Sequence, residues 1–379
     1  MIKHRWLQII LMLILGLVLS GCWDAKDINE RSFVMGVAFD LPDSGEGHVM
    51  TIEVPVLHSF ATQSGGSGPT SVLFATEGTS VAQMATHFES RTWRELFFGH
   101  TQVVIISEDI ARKDIRPLLD FFDRNPRIDR RLTLFISQGE ARQVLETKDP
   151  REPLVSVYLN QMLNTLTNTA RVVKQNFQDS LRNLENNGDT VLPRVRTSGT
   201  EVVIAGGALI KDYKMIAWLG ENETRAVAFL YNNISGGLIA VNINDILYAY
   251  AIRSASSEIK PKLKDNELTF TIEVKSEGDI IEVYYENAAG SSSFNIPEIE
   301  AKLNDLIINE IHHLVTKLQD LKTDPIGFDR LVYRHYPKFW QEHADEWKDV
   351  IFPQAKFDIK STFRVRRTGI VEKEVVDES

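Results

Sequence analysis

The only cysteine of this 379-residue chain is Cys22, which directly follows an apolar segment. The segment spans about residues 7–19, begins after two basic residues and ends in the letters LSGC at 19–22. A basic start, an apolar core and small residues form the pattern of an export signal. Small residues before a cysteine give a lipidating enzyme and a peptidase access to extended backbone. The sequence therefore predicts a lipoprotein signal peptide over 1–21 and lipid attachment at Cys22.

Three other interpretations of this segment are weaker. Thirteen apolar residues form a helix of about 20 Å, which is shorter than the roughly 30 Å hydrocarbon core of a membrane. An ordinary secretory signal cut near Ser20 would leave an unpaired thiol on an exported protein. A buried structural cysteine does not fit its place beside a signal. Two acyl chains on Cys22 would suffice for stable membrane anchoring.

Removal of residues 1–21 leaves 358 residues, enough for two or three domains with their own cores. It also removes Lys3 and Arg5, so the formal charge changes from −10 to −12. An acidic body lacks the basic surface that nucleic acids require and is repelled by anionic lipids. With Cys22 carrying lipid, disulfide bonds within the chain are excluded, and packing must supply the stability.

Strands alternate with helices in the first half of the chain. Residues 31–40 and 48–57 read as an antiparallel hairpin, and 101–107 and 131–136 as strands buried on both faces. One helix is expected between the latter two, over 108–123. Further helices are expected over 140–147 and over 153–185, before the Asn-Asn-Gly stop at 186–188. We expect a mixed α/β domain over 22–192.

A small middle domain is expected over 193–235. It would hold short strands at 201–205 and 208–210 on either side of two glycines, a third strand at 215–219, and a helix over 221–231.

The last domain, 236–379, combines strands with the longest helix. Four strands are expected at 238–243, 252–259, 268–274 and 280–285, and a long closing strand at 357–371. The helix extends from about 295 to 321, and its apolar residues recur every three or four positions as one stripe. We expect the stripe to pack on the domain's own core, and a contact with a partner is the alternative. The fold class predicted is α+β or mixed α/β with three domains. Each is a sheet flanked by helices, and the C-terminal one is an antiparallel sheet backed by a long helix.

No motif in the sequence predicts catalysis or a cofactor. Glu310 and His313 have the spacing used by dimetal bundles, but a second such pair is missing, so both are expected on the exposed face of the long helix. The Gly-rich loop at 59–70 lacks the Lys-Ser/Thr of a phosphate-binding loop and the context of a serine elbow. We predict no catalytic, metal or cofactor-binding residue, leaving Cys22 as the one functional site.

Two arginine clusters have structural interpretations. Arg364, Arg366 and Arg367 on the closing strand are expected to discourage edge-to-edge aggregation, and docking of phosphate or of an acidic partner is the alternative. The four arginines between 124 and 131 are expected in a solvated loop.

Several stretches in order resemble one family, the Ger(x)C lipoproteins, which are C subunits of bacterial spore nutrient germinant receptors. The stretches are GCWD at 21–24, DINE at 27–30, the strand 34–40, GHTQVVIISEDIA at 99–111, RNP at 124–126, GALI at 207–210 with WL at 218–219 and Glu223, DPIGF at 324–328, and the closing strand with Gly369.

The resemblance implies a non-enzymatic subunit anchored through Cys22 to the outer face of the spore inner membrane. It would act beside two integral membrane subunits, A and B, in a complex that senses nutrients, and it implies three α/β domains. Whether this subunit itself binds a small molecule is open. The alternative function is an extracytoplasmic solute-binding lipoprotein that delivers a nutrient to a transporter, which would need two similar lobes around a cleft. An envelope hydrolase is a third class, for which no motif is present.

Overall fold

The structure is a computed structural model that describes residues 5–6, 30–56, 70–92, 94–147, 152–166, 170–285 and 295–367. Cys22, Gly369 and residues 59–69 of the glycine-rich loop lie outside the described residues. Among the helices of the described ranges, none combines the length and the apolar character needed to cross a membrane.

An eight-stranded sheet organises the N-terminal part. Its spatial order is β10-β9-β8-β7-β6-β2-β3-β4. A short parallel pair, β1 with β5, forms a separate two-stranded sheet. The strands are β1 Arg31–Phe33, β2 Gly36–Asp40, β3 His48–Pro55, β4 Ser71–Gly78, β5 Glu95–Phe97, β6 Val103–Ser107, β7 Thr133–Ser137, β8 Thr190–Ser198, β9 Glu201–Lys211 and β10 Lys214–Leu219.

The centre of this sheet is parallel and buried on both faces. Strands β2, β6, β7 and β8 pair in parallel, and every residue of β2, β6 and β7 is buried. Continuous apolar runs are typical of such strands, because helices cover both sides. The helices are α1 Val81–Glu89, α2 Glu108–Lys113, α3 Arg116–Arg124, α4 Ala141–Glu146, α5 Val155–Leu166 and α6 Phe177–Asn187. The predicted hairpin β2–β3 and the buried strands are confirmed.

The prediction of a single helix over 108–123 is wrong, because α2 and α3 are separate helices. Asp114 adopts an extended conformation after α2, and its carboxylate accepts a hydrogen bond from the Arg116 amide at 2.8 Å. Pro117 then lies in the first turn of α3, where its missing N–H costs nothing.

The segment 193–235 divides its contacts between the two larger parts. Strands β8 to β10 are three of the eight strands of the large sheet, whereas helix α7, Glu221–Leu230, packs in the C-terminal core. The two short strands expected around Gly206 form one strand, β9, with Gly206 at φ 79°. A separate middle domain stays a prediction.

The C-terminal part is a four-stranded sheet in the order β11-β12-β13-β14 with helices on one face. Its first three strands are antiparallel. Strand β14 runs parallel to β13, because the intervening helices return the chain to the end of the sheet at which β13 begins. The elements are β11 Gly237–Ile243, β12 Ile246–Lys264, β13 Glu267–Tyr285, α8 Ile296–Asp320, α9 Phe328–His335, α10 Pro337–His343, α11 Phe352–Gln354 and β14 Lys356–Arg367. The predicted sheet backed by a long helix is confirmed.

Helix α8 buries the predicted stripe in the C-terminal core. Its side chains pack against Phe270, Phe328 and the inner face of the sheet. The fully buried members are Ile299, Leu303, Ile307, Ile311, Leu314 and Leu318, while Leu306 and Leu321 are partly buried.

The strands expected at 268–274 and 280–285 are one 19-residue strand, β13. Gly278 does not turn the chain but lies at a register shift against β12. A Cβ there would come within 2.2 Å of the Ala251 carbonyl oxygen and 2.6 Å of the Tyr250 ring, so only glycine fits this approach.

Candidate functional site at the junction of the two sheets

Asp324 organises the loop between α8 and α9. Its side chain is completely buried. Oδ1 accepts hydrogen bonds from the amides of Gly327 and Phe328 at 2.9 and 3.0 Å. Oδ2 accepts from the Asp329 amide at 2.8 Å and from Nε1 of Trp347 at 3.1 Å. One carboxylate thus satisfies the free N–H groups at the start of α9, which its N-cap glycine cannot do.

Asp189 connects this loop to the eight-stranded sheet. It is fully buried immediately before β8, and its Oδ2 accepts from the Thr323 hydroxyl and the Asp324 amide, both at 2.8 Å. Its Oδ1 lies 2.7 Å from Nζ of Lys348. The same ammonium donates to the Asn187 carbonyl oxygen at 2.5 Å and to Asp212 at 2.8 Å. We call Asp189, Asp324, Asp329 and Lys348 the junction network.

The pKa values of Asp324, Asp329 and Lys348 are all shifted upward in this network. Burial, followed by the charge of Asp329, raises the pKa of Asp324 to about 7, although its N–H donors act against the shift. Burial also raises the pKa of Asp329. Burial lowers the pKa of Lys348, but Asp189 and Asp212 more than offset this, so the net shift is upward. Lys348 therefore remains a cation opposite Asp189.

The junction network joins the loop between α8 and α9 to the start of β8. Each of its carboxylates binds backbone amides or a charged partner. Within the described residues, no three His, Cys, Asp or Glu side chains are grouped to hold a metal ion.

A polar cleft of about 780 Å³ lies beside the network. One wall is formed at the amino ends of β6 and β7 by Gln102 and Thr133, together with Asn160 on α5 and Asn176 at the start of α6. The other wall is the segment 231–233, which leads from α7 to the C-terminal sheet. The cleft therefore lies between the two large parts of the molecule. Ligand sites in parallel sheets are usually at the opposite, carboxyl ends of the strands.

Tyr231 links the cleft to the junction network. It lines the cleft, and its hydroxyl donates to the Pro325 carbonyl oxygen at 2.8 Å. Burial raises the pKa of Tyr231 to about 12, so the hydroxyl remains a donor at neutral pH. Asn233 connects the two walls of the cleft, because its Nδ2 donates to the Lys174 carbonyl oxygen at 2.5 Å.

Two further buried carboxylates cap helices. Asp40 at the end of β2 accepts from the amides of Ala141 and Arg142 at 2.6 and 2.8 Å, at the start of α4. Glu53 on β3 accepts from the Val155 and Ser156 amides at 3.0 and 2.9 Å, at the start of α5. Burial raises the pKa of both carboxyl groups. Their roles are structural, since each satisfies helix N–H groups.

The structure places Glu310 differently from the sequence-based expectation. Glu310 is not exposed but forms a largely buried ion pair with Arg225 on α7. His313 is exposed, and its ring nitrogen lies 3.7 Å from Glu223. Arg225 binds both carboxylate oxygens of Glu310, so Glu310 and His313 do not form a shared site.

Six of the seven arginines singled out in the sequence have acidic partners, Arg367 being the exception among the described residues. On β14, Arg364 lies 3.3 Å from Glu300 and Arg366 2.5 Å from Glu277. In the other cluster, Arg124 pairs with Asp120 and Arg127 with Glu95. Arg130 pairs with Asp123, and Arg131 with Asp129. Both clusters are locally neutralised, which disfavours a docking surface for phosphate.

Sequence reasoning missed the junction network and the cleft. A buried Asp189 had one indirect signal, the Asn-Asn-Gly helix stop directly before it. Gly188 indeed ends α6 in the left-handed conformation, at φ 79°. Lys348 lies 159 residues away from Asp189. No local pattern could have paired them.

The comparisons with known proteins match both halves of the chain. A family model for the spore germination protein N-terminal domain matches residues 24–197. A second model, spore germination B3/GerAC like, C-terminal, matches residues 205–369. The first match thus contains Asp189, and the second contains Asp324 and Lys348.

Known proteins resemble the chain over nearly its full length. It is similar to spore germination protein KC of Bacillus subtilis (strain 168), with 26% identity over 97% of both chains. Spore germination protein A3 of the same organism is 25% identical over 96% of this chain and 98% of its own. The crystal structure of the GerBC protein has the same fold, with a TM-score of 0.57 and 18% identity over 90% of this chain and all of that one. The chain belongs to the GerAC family of spore germination proteins, which confirms the resemblance seen in its sequence.

Proposed function

We propose that this protein is the lipid-anchored, non-enzymatic C subunit of a spore nutrient germinant receptor. It is held by a lipid on Cys22 at the outer face of the spore inner membrane, where it acts beside the integral membrane A and B subunits. The observation that carries this proposal is an arrangement along the chain. The one cysteine lies at the end of an export signal, two residues before the first of two germination domains.

The environment of the buried acids supports a non-enzymatic role. Catalytic carboxylates need a free oxygen that faces a substrate. Asp40, Glu53, Asp189 and Asp324 instead bind helix amides or a lysine inside the protein. These hydrogen bonds and ion pairs hold secondary-structure elements together.

The alternative of a solute-binding lipoprotein receives less support. Such a protein would have two similar lobes around a cleft. Here one part is an eight-stranded sheet covered on both faces, and the other is a four-stranded sheet with helices on one face. The cleft lies between unlike parts.

Deletion of the gene tests the proposal at the level of function. Spores that lack this protein should lose or slow germination in at least one nutrient mixture, and the wild-type gene should restore it. Affinity purification of the tagged protein from spore membranes should recover two integral membrane subunits. Normal germination of the deletion strain in every nutrient mixture, or purification without membrane subunits, would contradict the proposal.

A further inference from the structure

The cleft between the two sheets contains four asparagine side chains that each use only one of their two polar atoms in a hydrogen bond to a described residue. Asn160, Asn176, Asn232 and Asn233 each line the cleft. Each uses one side-chain atom for structure: Asn160 Nδ2 donates to Gln102 at 2.7 Å, and Asn176 Oδ1 accepts from the Asp179 amide at 2.8 Å. Asn232 Oδ1 accepts from the Ser257 amide at 3.0 Å. Asn233 Nδ2 contacts the Lys174 carbonyl, as described above.

The second side-chain atom of each asparagine is uncommitted. Among the described residues, the nitrogens of Asn176 and Asn232 and the oxygens of Asn160 and Asn233 have no hydrogen-bond partner. The structural bonds fix the orientation of all four amides, so their free atoms are positioned in advance. Two donors and two acceptors therefore line one cleft, and all four are neutral.

The charged groups of the cleft compensate each other. Arg131 binds both carboxylate oxygens of Asp129, and this contact lowers the pKa of Asp129. Asp179 lies 3.4 Å from Arg182. Lys174 is exposed at the rim. The cleft lining has two acids and two bases, so its formal charge is zero, and it offers no strong preference for an anion or a cation.

We propose that this cleft binds a small, neutral, polyhydroxylated molecule of the monosaccharide or cyclitol type. Vicinal hydroxyl groups both donate and accept, as the mixed set of amide atoms requires. Leu132, Leu163 and the Tyr231 ring supply the limited apolar surface that the C–H faces of such a molecule need. The volume is in the usual range for small-molecule sites, about 300 to 1,000 Å³.

Conservative substitutions can remove the two donors without disturbing the fold. Asn176→Asp keeps the oxygen that caps α6, and aspartate is as good an N-cap as asparagine. Asn232→Asp keeps the oxygen that binds Ser257 and tolerates the left-handed backbone at φ 55°. A matched control, Asn242→Asp with Asn266→Asp, adds the same two charges at exposed positions outside the cleft.

Ligand-observed NMR on the full-length protein in lipid nanodiscs tests the proposal. The probes are D-glucose and myo-inositol, with L-alanine as a zwitterionic and D-gluconate as an anionic comparison. We expect saturation transfer to at least one neutral probe. The Asn176→Asp/Asn232→Asp variant should bind that probe with an affinity at least about tenfold lower than that of the wild type. The Asn242→Asp/Asn266→Asp control should bind as the wild type does.

Three results would overturn this assignment. They are no transfer to either neutral probe at millimolar concentration, equal binding by the cleft variant, or stronger binding of L-alanine or D-gluconate than of the polyols. None of them bears on the germination test of the receptor role, so the two proposals can fail separately.

Discussion

The junction network and the polar cleft lie side by side at the same boundary, yet they use their polar atoms differently. In the network, Asp189, Asp324 and Lys348 are buried or half-buried ionisable groups whose hydrogen bonds all end within the protein. In the cleft, four neutral asparagine amides each use one side-chain atom for a hydrogen bond within the described part of the protein and keep the other atom unpaired. Buried charge must be paired, whereas neutral groups at a solvent-filled cleft tolerate a free atom. The first pattern is typical of structural contacts between the two large parts of the molecule. The second pattern is the basis for the ligand site that we propose.

Among the substitutions that test this comparison, Asp324→Ala should have the largest effect on stability. It leaves four donors without an acceptor: the amides of Gly327, Phe328 and Asp329, and the indole N–H of Trp347. At about 1 kcal/mol or more for each buried unsatisfied group, we expect the free energy of unfolding to fall by roughly 4 kcal/mol. Urea denaturation measures it. The exposed Asp349→Ala is the control and should leave stability unchanged. A loss as small as that of the control would show that Asp324 does not organise the loop.

Lys348→Met should come next. It keeps most of the side-chain volume but leaves the carboxylate of Asp189 buried without its cation, which costs about 3 kcal/mol in similar cases. Lys322→Met removes a lysine from the exposed pair with Asp349 and is the matched control. Urea midpoints of the two variants give the comparison directly. If both variants lost the same stability, the network would be no stronger than a surface ion pair.

The titration of Asp324 predicts a pH dependence. Its pKa is raised in the folded protein, so between about pH 4 and about pH 7 the folded state keeps a proton that the unfolded chain has lost. This contribution to the free energy of unfolding therefore falls as pH rises through that range, by up to about 1.4 kcal/mol per pH unit. We expect stability to fall more steeply with pH in the wild type than in Asp324→Asn, which cannot titrate. Parallel pH profiles would contradict the assignment.

The cleft variant Asn176→Asp/Asn232→Asp should have the smallest effect on stability. Both retained oxygens keep their structural hydrogen bonds, so the free energy of unfolding should change by less than about 0.5 kcal/mol. The same denaturation experiment measures it. A large loss would mean that these amides serve the fold, and the contrast with the network would disappear.

The predictable part of the fold is local and periodic. The apolar stripe of α8 repeats every three or four residues, so its burial could be predicted. The apolar runs of β6 and β7 likewise predicted buried strands. Strand β13 was divided wrongly, because Gly278 reads as a turn in isolation and only the approach of β12 requires it.

The candidate site could not be predicted, because it consists of long-range contacts. Glu310 looked exposed from its place on α8, but α7 presents Arg225 to it from 85 residues away. Asn176 and Asn232 approach the cleft on different elements, and each resembles an ordinary cap or turn residue. Polar residues carry no periodic signal that tells which partner they meet.

The central claim concerns Cys22 as the anchor of a germination subunit, and replacement of Cys22 by Ala tests it most directly. The variant should fold, because Cys22 lies outside both germination domains, yet it should leave the membrane fraction after a high-salt wash and fail to support nutrient-triggered germination. A variant that stays with the membrane and germinates as the wild type does would contradict the account.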